Sequence, residues 1–140
     1  MRIDFTETHP FHATTTSVVY PVLPITLIGK KHKQIKTYGL LDSGADVSMF
    51  HGELGERIGL DVESGRPETI NFVGDDGGVE SFMHDIRLVI GSVVIACEVA
   101  FSYEQSDDMY DQLLGRDVVF DRLQFGLRQS RMELYLRPER

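Results

Sequence analysis

One short segment, Asp42-Ser43-Gly44, carries the side chains best suited to chemistry. It follows Leu40 and Leu41, so an apolar strand would deliver the carboxyl group of Asp42 directly into a turn. A carboxylate held in such a turn can take a proton from water, and Gly44 lets the backbone turn sharply because it has no Cβ. The segment therefore predicts a proton-transfer site at the end of a strand.

Hydrolysis of an amide without a metal or a covalent intermediate needs two proton-transferring groups, one to accept a proton and one to donate it. Two carboxyl groups at contact distance share a single proton, because both cannot ionise there. Asp42 supplies one of them, and the Asp-Ser-Gly sequence occurs only once in the chain. The hydroxyl group of Ser43 could form a hydrogen bond to a second turn of the same kind.

A second segment, Leu113-Leu114-Gly115-Arg116-Asp117, repeats the pattern of an apolar strand end followed by a glycine. With Asp42-Ser43-Gly44 before it, this segment resembles the closing strand and helix start of the retropepsin-like (retroviral-type) aspartic proteases. The resemblance extends from about residue 23 to residue 136. It implies an all-β, half-barrel domain with one or two short helices, active as a twofold dimer.

The resemblance also implies a role for each residue of the two segments. Asp42 would be the catalytic carboxylate, and Ser43 would lock the two turns of the dimer together. Ala45 would keep the wall beside the aspartate small. Asp46 would pair with Arg116 and tie the active-site loop to the C-terminal helix. If that pair is substantially buried, Arg116→Ala should destabilise the protein by about 3–5 kcal/mol.

The function that these roles imply is that of an aspartic endopeptidase acting on peptide or protein substrates. Since one chain provides only one Asp42, we expect a homodimer in which a twofold axis brings two copies of that aspartate together. Two alternatives stay open. The same fold could form a catalytically weak or inactive dimer that serves as a peptide-binding or scaffold module, or the chain could be a protease fragment of a retroelement polyprotein.

A glycine-rich turn corresponds in position to the flap that closes over substrate in the resembled family. It reads Gly74-Asp75-Asp76-Gly77-Gly78 and lies between strands predicted over 68–73 and 79–82. Composition alone fits a plain surface turn equally well. Asp75 and Asp76 stand where a hydrophobic tip is more usual, and we expect their mutual repulsion to hold two flaps apart near neutral pH.

The remaining strand patterns predict hairpins over 25–41 and 85–101 and a final strand pair over 123–136. Residues 53–58 form the one convincing helix before the C-terminal half, and a second short helix is predicted over about 116–120. The acidic stretch 102–112 is typical of a solvated loop. The first 17 residues match no pattern.

Bulk properties set the remaining expectations. The 140 residues fit a single domain, 1–140, and the net charge of −8 argues against binding to nucleic acid. Apolar runs are too short to span a bilayer, and no signal region is visible, so a cytoplasmic location is expected. The single cysteine excludes an internal disulfide. The histidines match no ligand spacing, and neither a metal nor another cofactor is expected.

Overall fold

The structure is a computed structural model that describes residues 4–13, 19–72, 77–106 and 112–139. Its strands are β1 (Glu7–Pro10), β2 (His12–Ala13), β3 (Val19–Tyr20), β4 (Val22–Ile28), β5 (Gln34–Leu41), β6 (Met49–His51), β7 (Arg66–Ile70), β8 (Val79–Ile90), β9 (Val93–Ser102), β10 (Leu113–Leu114), β11 (Leu123–Arg128) and β12 (Glu133–Pro138). The helical segments are α1 (Gly52–Arg57), a short helix at Arg116–Phe120 and single turns at Lys30–His32, Val62–Ser64 and Gln129–Arg131.

Seven strands form the main sheet, in the order β4-β5-β10-β6-β9-β8-β7. Strand β4 also pairs with β8, from Ile25 opposite Ile90 to Ile28 opposite Arg87, so the sheet curls back on itself. Among the described residues, strand β7 pairs with β8 alone and is an edge strand. A smaller sheet has the order β1-β12-β11. The architecture is all-β with short helices, as the sequence predicted.

The two-residue strand β10 organises the centre of the main sheet. It runs parallel to β5, with Leu113 opposite Leu40 and Leu114 opposite Leu41, and antiparallel to β6. Leu114 is fully buried. Because β5 and β10 run in the same direction, the turns that follow them, at Asp42 and at Gly115, lie side by side.

Two groups of apolar side chains hold the fold together. The main core contains Leu27, Phe50, Leu88, Phe101 and Leu114, all without exposed surface. Fully burying an aliphatic or aromatic side chain contributes about 1.5–3 kcal/mol. A smaller cluster consists of Met49, Met83 and Ala100, against which Val47, Ile70, Phe72 and Val79 pack. The main core supports the sheet, and the smaller cluster lies beside the Asp42 turn.

The predicted hairpins β4–β5, β8–β9 and β11–β12 and the helix α1 are all present. The N-terminus of α1 is capped by His51, whose Nδ1 accepts a hydrogen bond from the Glu53 N–H at 3.1 Å. The prediction that strands over 79–82 and 85–90 are separate was wrong. They are one strand, β8, because Met83 between them is paired with both Arg66 of β7 and Ala100 of β9.

The prediction of a solvated loop over 102–112 was wrong at both of its ends. Ser102 is the buried last residue of β9, and Gln112 is 1% exposed. The Gln112 Oε1 accepts a hydrogen bond from the His51 N–H at 3.0 Å, and its Nε2 donates to the Ser106 carbonyl at 3.2 Å. This side chain is buried because it satisfies backbone groups that would otherwise lack partners. Residues 107–111 lie outside the described residues.

The described part of the N-terminal segment, which matched no pattern, belongs to the fold. Strand β1 pairs with β12, from Glu7 opposite Leu136 to Pro10 opposite Glu133. The Glu7 carboxylate also accepts a hydrogen bond from the Ser92 N–H at 2.8 Å, in the turn between β8 and β9. Among the helices of the described residues, none is long and apolar enough to cross a membrane.

Candidate active site

Asp42 lies half-buried in the turn that follows β5. Its Oδ1 accepts a hydrogen bond from the Gly44 N–H at 2.9 Å, and its own N–H donates to the Leu114 carbonyl at 3.1 Å. A Cβ at Gly44 would lie 3.2 Å from the Asp42 Oδ1, closer than most side-chain contacts. The turn therefore fixes the carboxyl group, and a side chain at position 44 would require that group to shift by a few tenths of an ångström.

The Asp42 turn is held from behind by the segment that follows β10. The Arg116 N–H donates to the Ala45 carbonyl at 2.9 Å, and the Asp117 N–H donates to the Asp46 carbonyl at 3.2 Å. These are backbone contacts, so they form with almost any residue type at these positions. They explain how the two segments singled out in the sequence fit together.

Ser48 also helps to hold the two segments together, and the sequence analysis did not identify it. It has no exposed surface, and its Oγ accepts a hydrogen bond from the Gly115 N–H at 2.9 Å. Its N–H donates to the Asp117 Oδ1 at 3.2 Å. Burial raises the pKa of the Asp117 carboxyl group, and the hydrogen bonds from Ser48 oppose that shift. A serine beside Met49 and Phe50 gives no signal in the sequence beyond being a polar residue in an apolar run.

Asp46 and Arg116 form the expected ion pair, but the pair is not buried. In the single chain, 60% of the Arg116 side chain and 77% of the Asp46 side chain are exposed. The expectation that removing Arg116 strongly destabilises the protein was therefore wrong. Water screens an exposed pair and solvates the charge that remains when its partner is removed.

Arg116→Ala should lower the free energy of unfolding by only about 0–1 kcal/mol, as is typical of exposed pairs. The backbone hydrogen bond from position 116 to Ala45 survives the substitution. Thermal unfolding of Arg116→Ala, Asp46→Ala and the double variant gives the coupling energy of the pair directly. A coupling energy of several kcal/mol would mean that the pair is buried in the protein as it exists in solution.

Asp42 opens onto a cleft of about 460 Å³. One side of the cleft is the loop that begins at Asp42, and the other is β7 with the residues that follow it. The lining residues are Asp42, Gly44, Ala45, Asp46, Val47, Met49, Arg66, Glu68, Thr69, Ile70, Asn71, Phe72 and Met83. The cleft thus combines an apolar part, made by members of the Met49–Met83 cluster, with a charged part at the start of β7.

The hairpin of β7 and β8 stands where the flap was predicted, and its strand β7 lines the cleft. Ile70 and Val79 form the last described strand pair before the tip. Gly78 has φ +68°, in the left-handed region that favours glycine, and Gly77 is exposed. Gly74, Asp75 and Asp76 lie outside the described residues, so their role at the tip stays a prediction.

The carboxylates that line the cleft differ in their partners. Asp46 pairs with Arg116, and Glu68 pairs with Arg66. Asp42 has no arginine or lysine partner in the described part of the chain, and its carboxyl group accepts a hydrogen bond only from the backbone of its own turn. In the same part of the chain, no group of three or more His, Cys, Asp or Glu residues is arranged to hold a metal ion.

No family model and no curated protein matches this sequence. Among solved structures, a retropepsin-like aspartic protease from Rickettsia conorii aligns over 96% of this chain and 96% of its own, with a TM-score of 0.61 and 13% sequence identity. The EIAV protease in complex with an inhibitor aligns over 70% of this chain and 83% of its own, with a TM-score of 0.49 and 22% identity.

The first of these structures assigns the fold, whereas the TM-score of the second is too low to add to it. The chain has the retropepsin-like aspartic protease fold, and the resemblance inferred from the two sequence segments is confirmed at that level. The roles of the individual site residues stay predictions.

Proposed function

We propose that this protein is an aspartic endopeptidase whose active site is shared by two copies of the chain, each contributing one Asp42. The observation that carries the proposal is the position of the Asp42 carboxyl group, which is fixed in a tight turn and opens onto the cleft beside β7. A carboxyl group held in this way at a cleft, with no cationic partner among the described residues, suits proton transfer better than a structural ion pair.

The shape of the cleft favours an extended peptide as the substrate. Strand β7 lines the cleft and is an edge strand, so one row of its backbone N–H and C=O groups has no partner strand in the part of the chain that the structure describes. An extended chain can pair with such an edge through main-chain hydrogen bonds while its side chains enter pockets on alternate sides. A peptide bound along β7 would run past Asp42.

The second carboxyl group is best supplied by a second copy. Of the other acidic side chains that line the described cleft, Asp46 and Glu68 are each engaged by an arginine. Each already forms an ion pair within its own chain, which makes it a poorer partner for Asp42 than a second Asp42 would be. A twofold axis through the site would instead bring two identical Asp42 turns together, and an isologous dimer produces this arrangement without any further residue.

In the shared site, one Asp42 carboxyl group is ionised and the other is protonated. The ionised group takes a proton from water as the water oxygen attacks the carbonyl carbon of the scissile amide. The protonated group gives its proton to the carbonyl oxygen. When the tetrahedral gem-diol intermediate collapses, the carboxyl group that took the proton from water gives it to the leaving nitrogen and the C–N bond breaks. One hydroxyl proton of the diol returns to the other carboxyl group as the product carboxyl group forms. Both carboxyl groups return to their starting state, so no metal or covalent intermediate is needed.

This mechanism predicts that activity and dimerisation fall together. Over a dilution series, hydrolysis of a peptide per mole of chain should decline as the sedimentation coefficient falls towards that of a monomer, because a monomer holds only one of the two carboxyl groups. Full activity in a demonstrably monomeric sample would contradict the shared site. A dimer that binds peptides but never cleaves them would instead support the peptide-binding module.

A further inference from the structure

We propose that the cleft selects peptides that carry a basic side chain two residues away from an apolar side chain, and that Glu68 recognises the basic one. This inference rests on the proposed function, because it places the peptide in the same cleft. It concerns the charged part of the cleft, to which the hydrolytic mechanism assigns no role.

The charged part is built around a single guanidinium group. Arg66 is bound by two carboxylates, those of Glu68 and Glu98, the latter at 2.6 Å. Each carboxylate uses one oxygen for this contact, and their second oxygens have no hydrogen-bond or ion-pair partner among the described residues. The register of β8 with β9 also places Asp85 directly opposite Glu98. One cation is thus surrounded by an excess of negative charge.

This excess favours a cationic ligand. The two carboxylates hold Arg66 with favourable charge–charge contacts, and they raise its pKa. Glu68 and Glu98 outnumber the single guanidinium group, so an incoming acidic side chain would be repelled by the excess of negative charge, whereas a lysine or arginine side chain could contact the second oxygen of Glu68 without disturbing the pair. About 46% of the Glu68 side chain is exposed, so it is accessible from the cleft.

The position of the basic side chain follows from the geometry of β7. Side chains alternate along a strand, so Glu68 and Ile70 project on the same side, about 6.6 Å apart along the strand axis. Ile70 packs against the Met49–Met83 cluster, which forms the apolar part of the cleft. An extended peptide paired with β7 has the same repeat. Its residues that face Glu68 and Ile70 are therefore two positions apart.

The test measures peptide binding to the Asp42→Asn variant by fluorescence anisotropy, and cleavage by the unaltered protein. The probes are extended peptides with one fixed leucine and with lysine, norleucine or glutamate placed one or two residues from it, on either side. We expect the lysine peptide to bind about tenfold more tightly than the glutamate peptide at a spacing of two residues. At a spacing of one residue the preference should disappear, because that side chain faces away.

Glu68→Gln should bring the ratio of lysine to glutamate affinity close to one, and Glu68→Lys should invert it. The matched control is Glu80→Gln, an exposed glutamate on β8 that does not line the cleft and should leave the ratio unaltered. An unaltered ratio in Glu68→Gln, equal preferences at both spacings, or no binding of any peptide would overturn the inference. A preference that follows Glu68 while the unaltered protein cleaves none of the bound peptides would support the inference and overturn the proposed hydrolysis.

Discussion

Asp42→Asn is expected to abolish peptide hydrolysis while leaving the fold and the dimer intact. Asparagine keeps the shape of the side chain, and its Oδ1 can still accept the hydrogen bond from the Gly44 N–H. It cannot exchange a proton, and general acid–base catalysis by one positioned group contributes about 10²–10⁴-fold to a rate. Turnover measured on the purified variant, beside its sedimentation coefficient, checks both halves of the expectation. Turnover equal to that of the unaltered protein would refute the role of Asp42.

Mixing the variant with the unaltered protein tests whether the site is shared. If subunits exchange freely, adding an equal amount of Asp42→Asn should reduce activity per unaltered chain to about one half, and a ninefold excess should reduce it to about one tenth. Each mixed dimer holds one functional carboxyl group and is inactive. A protein with an independent site in every chain would show no loss at either ratio.

Gly115→Ala should be among the most damaging single substitutions in the protein. A Cβ at this position would lie 2.6 Å from the backbone carbon of Val47, 2.7 Å from its oxygen and 2.9 Å from the Ala45 oxygen. Backbone atoms cannot swing aside as a side-chain tip can, so the active-site loop itself would have to move. Overpacking of this kind costs about 1–3 kcal/mol and occasionally more, and we expect the upper end of that range. Activity should fall further than stability, because the displaced loop carries Asp42.

The control for Gly115→Ala is Gly77→Ala. Position 77 is exposed, and no atom of the described residues lies within 4 Å of a Cβ built there. Chemical denaturation of both variants should therefore show a clear loss of stability for Gly115→Ala and almost none for Gly77→Ala. Equal stabilities would mean that the loop has more room around Gly115 than the contacts indicate.

The parts of the fold that could be predicted from the sequence are those with a local signal. Alternating apolar residues mark the hairpins, and Leu-Leu followed by a glycine-containing turn marks both Asp42 and Gly115. The contact between these two turns was predictable only through resemblance to a known family, because the residues of one segment do not indicate that it contacts the other. The exposed state of the pair formed by Asp46 and Arg116 could not be deduced, since residue types alone do not report burial.

Other features had no local signal at all. The burial of Ser48 and Gln112 depends on distant backbone groups, the Gly115 and His51 N–H groups, that only the folded chain brings within reach. The formation of strand β1 likewise depends on its pairing with β12, which lies at the other end of the described chain. The proposed subsite at Glu68 was also missed. It depends on Glu98, which lies on another strand, and on the cleft, and the sequence alone shows neither contact.

The place of β10 in the sheet has a consequence for how the protein is made. Ribosomal synthesis proceeds from the N-terminus, so Asp42 leaves the ribosome long before Leu114, whose carbonyl accepts the Asp42 N–H, and before Arg116, which binds the Ala45 carbonyl. Contacts between such distant parts of a chain form late, since the intervening loop must first be closed. A nascent chain therefore carries an unsupported Asp42 turn until Leu114 and Arg116 have been synthesised, and the candidate catalytic loop becomes ordered only after that point.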